Sequence, residues 1–580
     1  MTEMDNILER REPVGRSGKI GTEQVREAVL ILQEYKNGKA NLERRVISDE
    51  EWYKMRHWDE IAAGDYNVND PRPASAWLFN AIANKHADAM DNYPEPNVLP
   101  REESDKEDAN ILSEIIPVIL ERNEFEQTYS DVWWDKLKSG TGVYGVYWNN
   151  ALENGLGDID IKQLDLLNIF WEPGITDIQK SRNLFTVELV DNDILRSQYE
   201  FLGDTLGAKT VDVAQYRYDD SVDTSDKSAV IDWYYKVSDG SSEKLHYVKF
   251  VNDTVIYASE NDPSYAERGY YDHGKYPVVF DTMFVTEGTP AGFGYIDAMK
   301  DVQMYIDKLN AIIIKNAFQA GKRRFFINDN GGVNEDEFAD WSRDFVHVSG
   351  RISDDNIKEI TVSQLDSSVM NMLTQKIDEL KETSGNRDFS QGSTSGGVTA
   401  ASAIAALQEA GSKLSRDMIK SAYRAFTKIN YFVIELIRQF YDETRSFRII
   451  GANGENSFVK YSNERIREQV VAPVAVGDDV GYRRPIFDIK VTSQKASPFS
   501  KVAQNELAKE LYNMGFFNPA LAEQSLAALE MMDFEAKDII TDKITQNAAM
   551  YQQIQQLQMQ VQQLTASLGG MGQTDSGGMV

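Results

Sequence analysis

Apolar side chains recur at spacings of three and four over residues 295–320: Ile296, Met299, Val302, Ile306, Leu309, Ile313 and Ala317. This period predicts an amphipathic helix roughly 40 Å long. Gly294 precedes it and Gly321 follows it, where a left-handed cap is expected. A second stripe, Leu365, Val369, Met372, Leu373, Ile377 and Leu380, predicts a helix over 365–383, stopped at Gly385 and Asn386. Between the two helices, 323–327, 344–348 and 357–362 read as strands and 335–341 as a short helix. Residues 387–397 are rich in Gly and Ser and hold neither period, so a loop is expected. Residues 400–441 contain no proline and predict one helix of roughly 60 Å. Its first third is alanine-rich, and Gly411-Ser412 marks a kink.

The flanks are less periodic. Residues 1–75 read as polar and irregular, apart from a helix over 22–35 carried by Val25, Val29 and Leu32. A helix over 76–92 is ended by Tyr93-Pro94-Glu95-Pro96. Helical spacing dominates 102–138, with Pro117 an expected kink. Short alternating runs predict strands at 140–148, 159–164, 184–190, 230–237, 245–251, 254–258 and 278–282, and again at 447–450, 457–461 and 486–491. Helices are expected over 505–514, 520–531 and 538–568. In the last of these, Met550, Ile554, Leu557, Val561, Leu564 and Leu568 alternate in steps of four and three, the mark of a heptad seam. Its other positions are mostly glutamine, so identical copies could align without like-charge repulsion. Residues 569–580 lack the composition to pack. The fold class is α+β.

Composition narrows the function. At 580 residues several domains are expected. The chain has no cysteine, hence no thiol chemistry, and residues 1–15 carry no apolar signal-peptide core. No apolar run approaches the length of a membrane span. A net charge of −31 argues against a protein that clamps phosphates to read sequence. It does not argue against a conduit, because acidic walls let DNA slide without sticking.

Catalytic patterns are absent. The G-x-G-x-x-G at 140–145 precedes a strand rather than a helix, the reverse of a dinucleotide fingerprint. Gly18-Lys19 runs into Ile20 and lacks the earlier Walker glycine. None of the five histidines lies in an H-E-x-x-H pattern. Thr394 takes the nucleophile place in Gly392-Ser393-Thr394-Ser395-Gly396. Asp219, Asp220, Asp223 and Asp226 lack EF-hand spacing and read as a solvated acidic loop. No enzyme activity, metal or cofactor is expected.

The run from Gly396 to Lys413, Gly-Gly-Val-Thr-Ala-Ala-Ser-Ala-Ile-Ala-Ala-Leu-Gln-Glu-Ala-Gly-Ser-Lys, resembles portal proteins of tailed bacteriophages. So does Ile306-Asp307-Lys308-Leu309-Asn310 followed by Lys322-Arg323-Arg324-Phe325-Phe326-Ile327. The resemblance runs from about Trp77 to the C-terminal helix. It implies an N-terminal arm and wing (1–293), a first stem helix (294–320), a clip (321–363) and a second stem helix (364–385). A tunnel loop (386–399), a long kinked helix (400–441), a wing return (442–504), a helical crown (505–568) and a tail (569–580) would follow. It further implies a dodecameric ring at one capsid vertex, assembled in the host cytoplasm and carried in the virion, that passes double-stranded DNA. Implied partners are the terminase large subunit, a head–tail adaptor, and the major capsid and scaffolding proteins, with no membrane. Arg387, Asp388, Phe389, Ser390 and Gln391 would reach into the channel. Lys322, Arg323 and Arg324 would meet DNA or a docked partner. Gly411 and Ser412 would kink the long helix, and Ile554, Leu557, Val561 and Leu564 would form the crown seam. Alternatives are another head–tail connector, a minor head protein, or a nucleic-acid-remodelling enzyme.

Overall fold

The computed structural model describes residues 19–62, 70–206, 211–217, 226–238, 243–321, 325–327, 332–340, 345–349, 357–360, 365–385, 413–450, 456–471, 481–494, 509–530 and 537–571. It is α+β and divides into two compact units, 1–494 and 495–580.

The first unit opens with α1 (Thr22–Tyr53) and α2 (His57–Ile61). The polar, irregular reading of 36–53 is therefore corrected: the helix runs on to Tyr53. Its inner face there is polar yet buried, at Lys39, Glu43 and Asp49 among Val46 and Trp52. Lys39 keeps partners there, its Nζ donating to the Ile169 carbonyl at 2.7 Å, whereas the Asp49 carboxyl has no hydrogen-bond partner among the described residues. Next come α3 (Trp77–Met90) and β1 (Tyr93–Pro100). The prolines that end α3 thus also begin a strand. Val98 turns its N–H and C=O toward Ser113 Oγ, at 2.9 and 3.3 Å. Pro94, Pro96 and Pro100 share its parity, so the edge that lacks donors is the one without a partner strand.

Then follow α4 (Lys106–Arg122) and α5 (Phe125–Ser139). Pro117 lies inside α4, and the break falls later, at Asn123 and Glu124. The G-x-G segment forms β2 (Thr141–Asn149). Gly140 caps α5 at φ 87, and a Cβ there would collide with the Phe293 backbone. A Cβ on Gly294 would likewise strike the Lys138 carbonyl and the Gly140 amide. These glycines serve close packing where several segments converge.

Two sheets are built from β3 (Asp158–Leu164), β4 (Ile169–Trp171), β5 (Asn183–Asp191), β6 (Lys227–Ser238), β7 (Glu243–Val251), β8 (Thr254–Ala258) and β9 (Val278–Thr282), with α6 (Asn192–Gln198) after β5. One has the order β3-β2-β9, the other β4-β5-β6-β7-β8, and every pairing is antiparallel. The alternating apolar residues of β5, β6 and β7 bury Phe185, Ile231, Trp233, Val248 and Phe250 in a core shared with α1.

The predicted first long helix is α7 (Tyr295–Gly321). Gly321 is its last residue and is not left-handed, which corrects the cap reading. A small insert holds β10 (Phe325–Ile327), α8 (Glu335–Ala339) and β11 (Ile357–Glu359), with β10 antiparallel to β11. Among described residues the 344–348 strand is reduced to a lone bridge between Val333 and Val348. The second long helix is α9 (Ser367–Ser384). Asp366 caps its start by accepting from Ser368 N at 2.8 Å, and Gly385 ends it at φ 69. The third is α10 (Lys413–Phe440).

Strands β12 (Arg445–Ile450), β13 (Asn456–Tyr461), β14 (Gln469–Val471), β15 (Gly481–Arg483) and β16 (Phe487–Gln494) close the unit. The last pairs with β1 from Tyr93–Gln494 to Pro100–Phe487. In the second unit, α11 (Ala522–Glu530) and α12 (Lys537–Met571) pack through Ala522, Leu529 and Ile544.

Candidate functional site

The stripes of α7 and α9 face each other and join the main core. Ile296, Met299 and Ile306 are buried on α7, Leu380 on α9, and Leu373 and Ile377 pack beside them. The apolar stripe of α7 is interrupted at Gln303 and Asp307, one turn apart and both fully buried. These two groups organise a polar clasp that ties the helix to the N-terminal segments.

Asp307 Oδ2 lies 2.6 Å from His57 Nδ1, and Asp307 Oδ1 accepts from Ser75 N at 2.9 Å and from Gln303 Nε2 at 3.1 Å. Gln303 Nε2 also donates to the Ser75 carbonyl at 2.8 Å, while its oxygen accepts from Leu78 N at 3.3 Å. Asn310, a turn further on, donates to Ser75 Oγ at 3.0 Å. The other His57 nitrogen faces the Trp52 carbonyl at 3.0 Å, and the ring stacks on Trp52 at 4.5 Å. Both ring nitrogens of His57 thus face oxygen atoms. A satisfied buried network of this kind fixes one geometry.

A second clasp lies nearer the start of α7. Lys300 Nζ reaches Glu60 at 2.7 Å and Ser48 Oγ at 2.8 Å, and Glu60 accepts from Trp52 Nε1 at 2.7 Å. Asp49 sits next to this group with both oxygens buried and unbonded. Burial, then the nearby Asp297 charge, pushes its carboxyl up to about 8, against the pull of Arg45 and Lys300.

Two buried lysines hold the first turns of α10. Lys85 on α3 donates to Ser415 Oγ at 2.9 Å, and Ser415 donates to Asp88 at 2.9 Å. Lys136 on α5 meets Asp281 at 2.6 Å, with Ser421 Oγ 3.4 Å from the same oxygen. Burial pulls both ammonium groups below the ordinary lysine range. The far end of α10 is held by backbone contacts: Arg438 Nε donates to the Ile466 carbonyl at 2.9 Å, and Asn463 N to the Tyr441 carbonyl at 3.0 Å.

Of the residues singled out from sequence, Arg387, Asp388, Phe389, Ser390, Gln391, Lys322, Arg323, Arg324, Gly411 and Ser412 lie outside the described residues, as do 400–412 and the tail beyond Met571. Ile554, Leu557, Val561 and Leu564 lie on α12, each more than half exposed. The clasp residues His57, Ser75, Gln303 and Asp307 were not singled out. Their one signal was the run of Gln303, Asp307 and Asn310 at steps of four and three beside an apolar stripe. Among the described residues no group of three or more His, Asp or Glu could hold a metal, and no helix is long and apolar enough to cross a membrane.

The model of one protein family, described as phage P22-like portal protein, matches residues 49–574. No curated protein matches the chain.

Proposed function

This chain belongs to the P22-like phage portal protein family, and on that footing we propose that twelve copies close into a ring at one capsid vertex whose bore passes double-stranded DNA. A portal protein is a structural component of the phage, and the family is not one of enzymes. In this reading α7 and α9 form the stem around the bore. Helices side by side stand about 10 Å apart, so twelve give a circumference of about 120 Å and a clear bore of roughly 25–30 Å. A duplex passes such a bore with a layer of water. Each copy meets its neighbours through two different surfaces, and head-to-tail contacts of that kind close into rings.

The observation that carries the reading is the family match over nearly the whole chain, taken with the paired long helices and the small insert between them. Residues 321–363 are then the clip that meets the terminase large subunit and later a head–tail adaptor. The wing and crown meet capsid and scaffolding proteins. Arg387 to Gln391 belong to a loop reaching into the bore, and Lys322 to Arg324 touch DNA or the docked partner. Ile554, Leu557, Val561 and Leu564 are the seam along which α12 helices of neighbouring copies associate.

Electron microscopy of the purified protein tests the ring. Twelvefold particles with α7 and α9 around the pore are expected, and a compact monomer, or a ring with these helices away from the pore, sinks the reading. Deleting 391–397 should leave ring assembly intact but lower the amount of DNA packaged or retained. DNA-filled heads at wild-type yield would remove the loop's role.

A further inference from the structure

A groove of about 840 Å3 opens where β1 meets α4 and α5, apart from the clasps around α7. Its floor is apolar, lined by Met90, Tyr93, Pro94, Pro117 and Phe125. Its rim is acidic: Glu95, Glu121, Glu124 and Glu126 line it, all four exposed, and among the described residues no lysine or arginine lines it. The nearby Arg122 does not neutralise them. Its guanidinium is turned to Glu153 and Asp158, at 3.8 and 3.6 Å. Pro94 and Pro96 lie on the closed edge of β1, so no strand can add there and cover the floor.

Charge and shape together select the occupant. An apolar floor wants an apolar side chain, and four uncompensated carboxylates want cationic ones around it. Nucleic acid is excluded by the same carboxylates, which repel phosphate. A second copy of this chain, with 61 basic against 92 acidic side chains, is the poorer source of a basic segment. We infer that the β1–α4–α5 groove docks a basic segment of a different protein, one that inserts an apolar side chain between flanking lysines or arginines.

The test uses the full-length protein and a fluorescent peptide of alternating leucine and lysine. The peptide should bind, and Glu121→Lys with Glu126→Lys should weaken it at least tenfold. Glu267→Lys with Glu287→Lys makes the same charge change away from the groove and should leave binding unaltered. Carbodiimide cross-linking of the peptide to the unaltered protein should map to the four rim glutamates, a readout independent of how the variants fold. Equal loss in both double variants, equal binding by a lysine-only peptide, or cross-links elsewhere would each overturn the inference. So would an altered oligomeric state with unchanged peptide binding, which would assign the groove to a neighbouring copy.

Discussion

The middle of α7 and the later turns of α12 invert the usual distribution of side chains. Around the middle of α7, an aspartate, a glutamine and a histidine from α2 are almost wholly inside, each with partners. On α12, Ile554, Leu557, Val561 and Leu564 stand in the open, and no charged side chain occurs between Lys543 and Asp575. The first arrangement is complete within one chain, since the polar groups satisfy one another. The second is incomplete in one chain, since apolar turns without a facing surface gain nothing from being helical. The first therefore belongs to folding and the second, under the proposed seam, to association, and perturbing each should move a different observable.

The largest effect is expected from Asp307→Ala. It strands His57 and the Ser75 amide, removes one of the bonds of Gln303, and should cost roughly 3–5 kcal/mol. Denaturant unfolding of the first unit measures this; a loss below about 1 kcal/mol would show that the clasp does not hold the helix. Asp49→Asn should act in the opposite direction. The native carboxyl titrates at about 8, well above the 3.8 of the free side chain, so the folded state binds the extra proton between these values. Stability should then fall as pH rises from about 4 to about 8. The amide removes that slope: the variant should match the native protein near pH 4 and be roughly 1–3 kcal/mol more stable at pH 8. Parallel stability curves would show that Asp49 is not strained by burial. The smallest effect on unfolding is expected from Leu557→Asp with Leu564→Asp, within about 0.5 kcal/mol for the first unit. The same variant should abolish self-association through α12, read by analytical ultracentrifugation; association at native strength would make the seam irrelevant to assembly.

How much of this was visible in the sequence depends on the kind of contact. Helix α7 starts where its stripe predicts and ends one residue later, and α9 is displaced by one or two residues, because apolar periodicity is local information. The extension of α1 past Tyr35 was hidden because Lys39, Glu43 and Asp49 face inward, where a reading by hydropathy expects solvent. Strand β1 was hidden because Pro94 and Pro96 read as a stop, whereas an edge without donors accepts them. The clasp was hidden by distance: His57 and Asp307 are 250 residues apart, and nothing local pairs them. Of the candidate site residues only the four on α12 lie among those described, and they are exposed there like every residue around them.

The pairing of β1 with β16 bears on biosynthesis. Arg101, just past β1, bonds to Asp488 on β16 across 387 residues of chain. A ribosome adding about 5–20 residues per second needs about 20–80 s to traverse that interval. For that time the edge of β1 that faces β16 lacks its strand; the donor-free prolines close only the outer edge, so the inner edge is the one open to a strand of another polypeptide on the messenger.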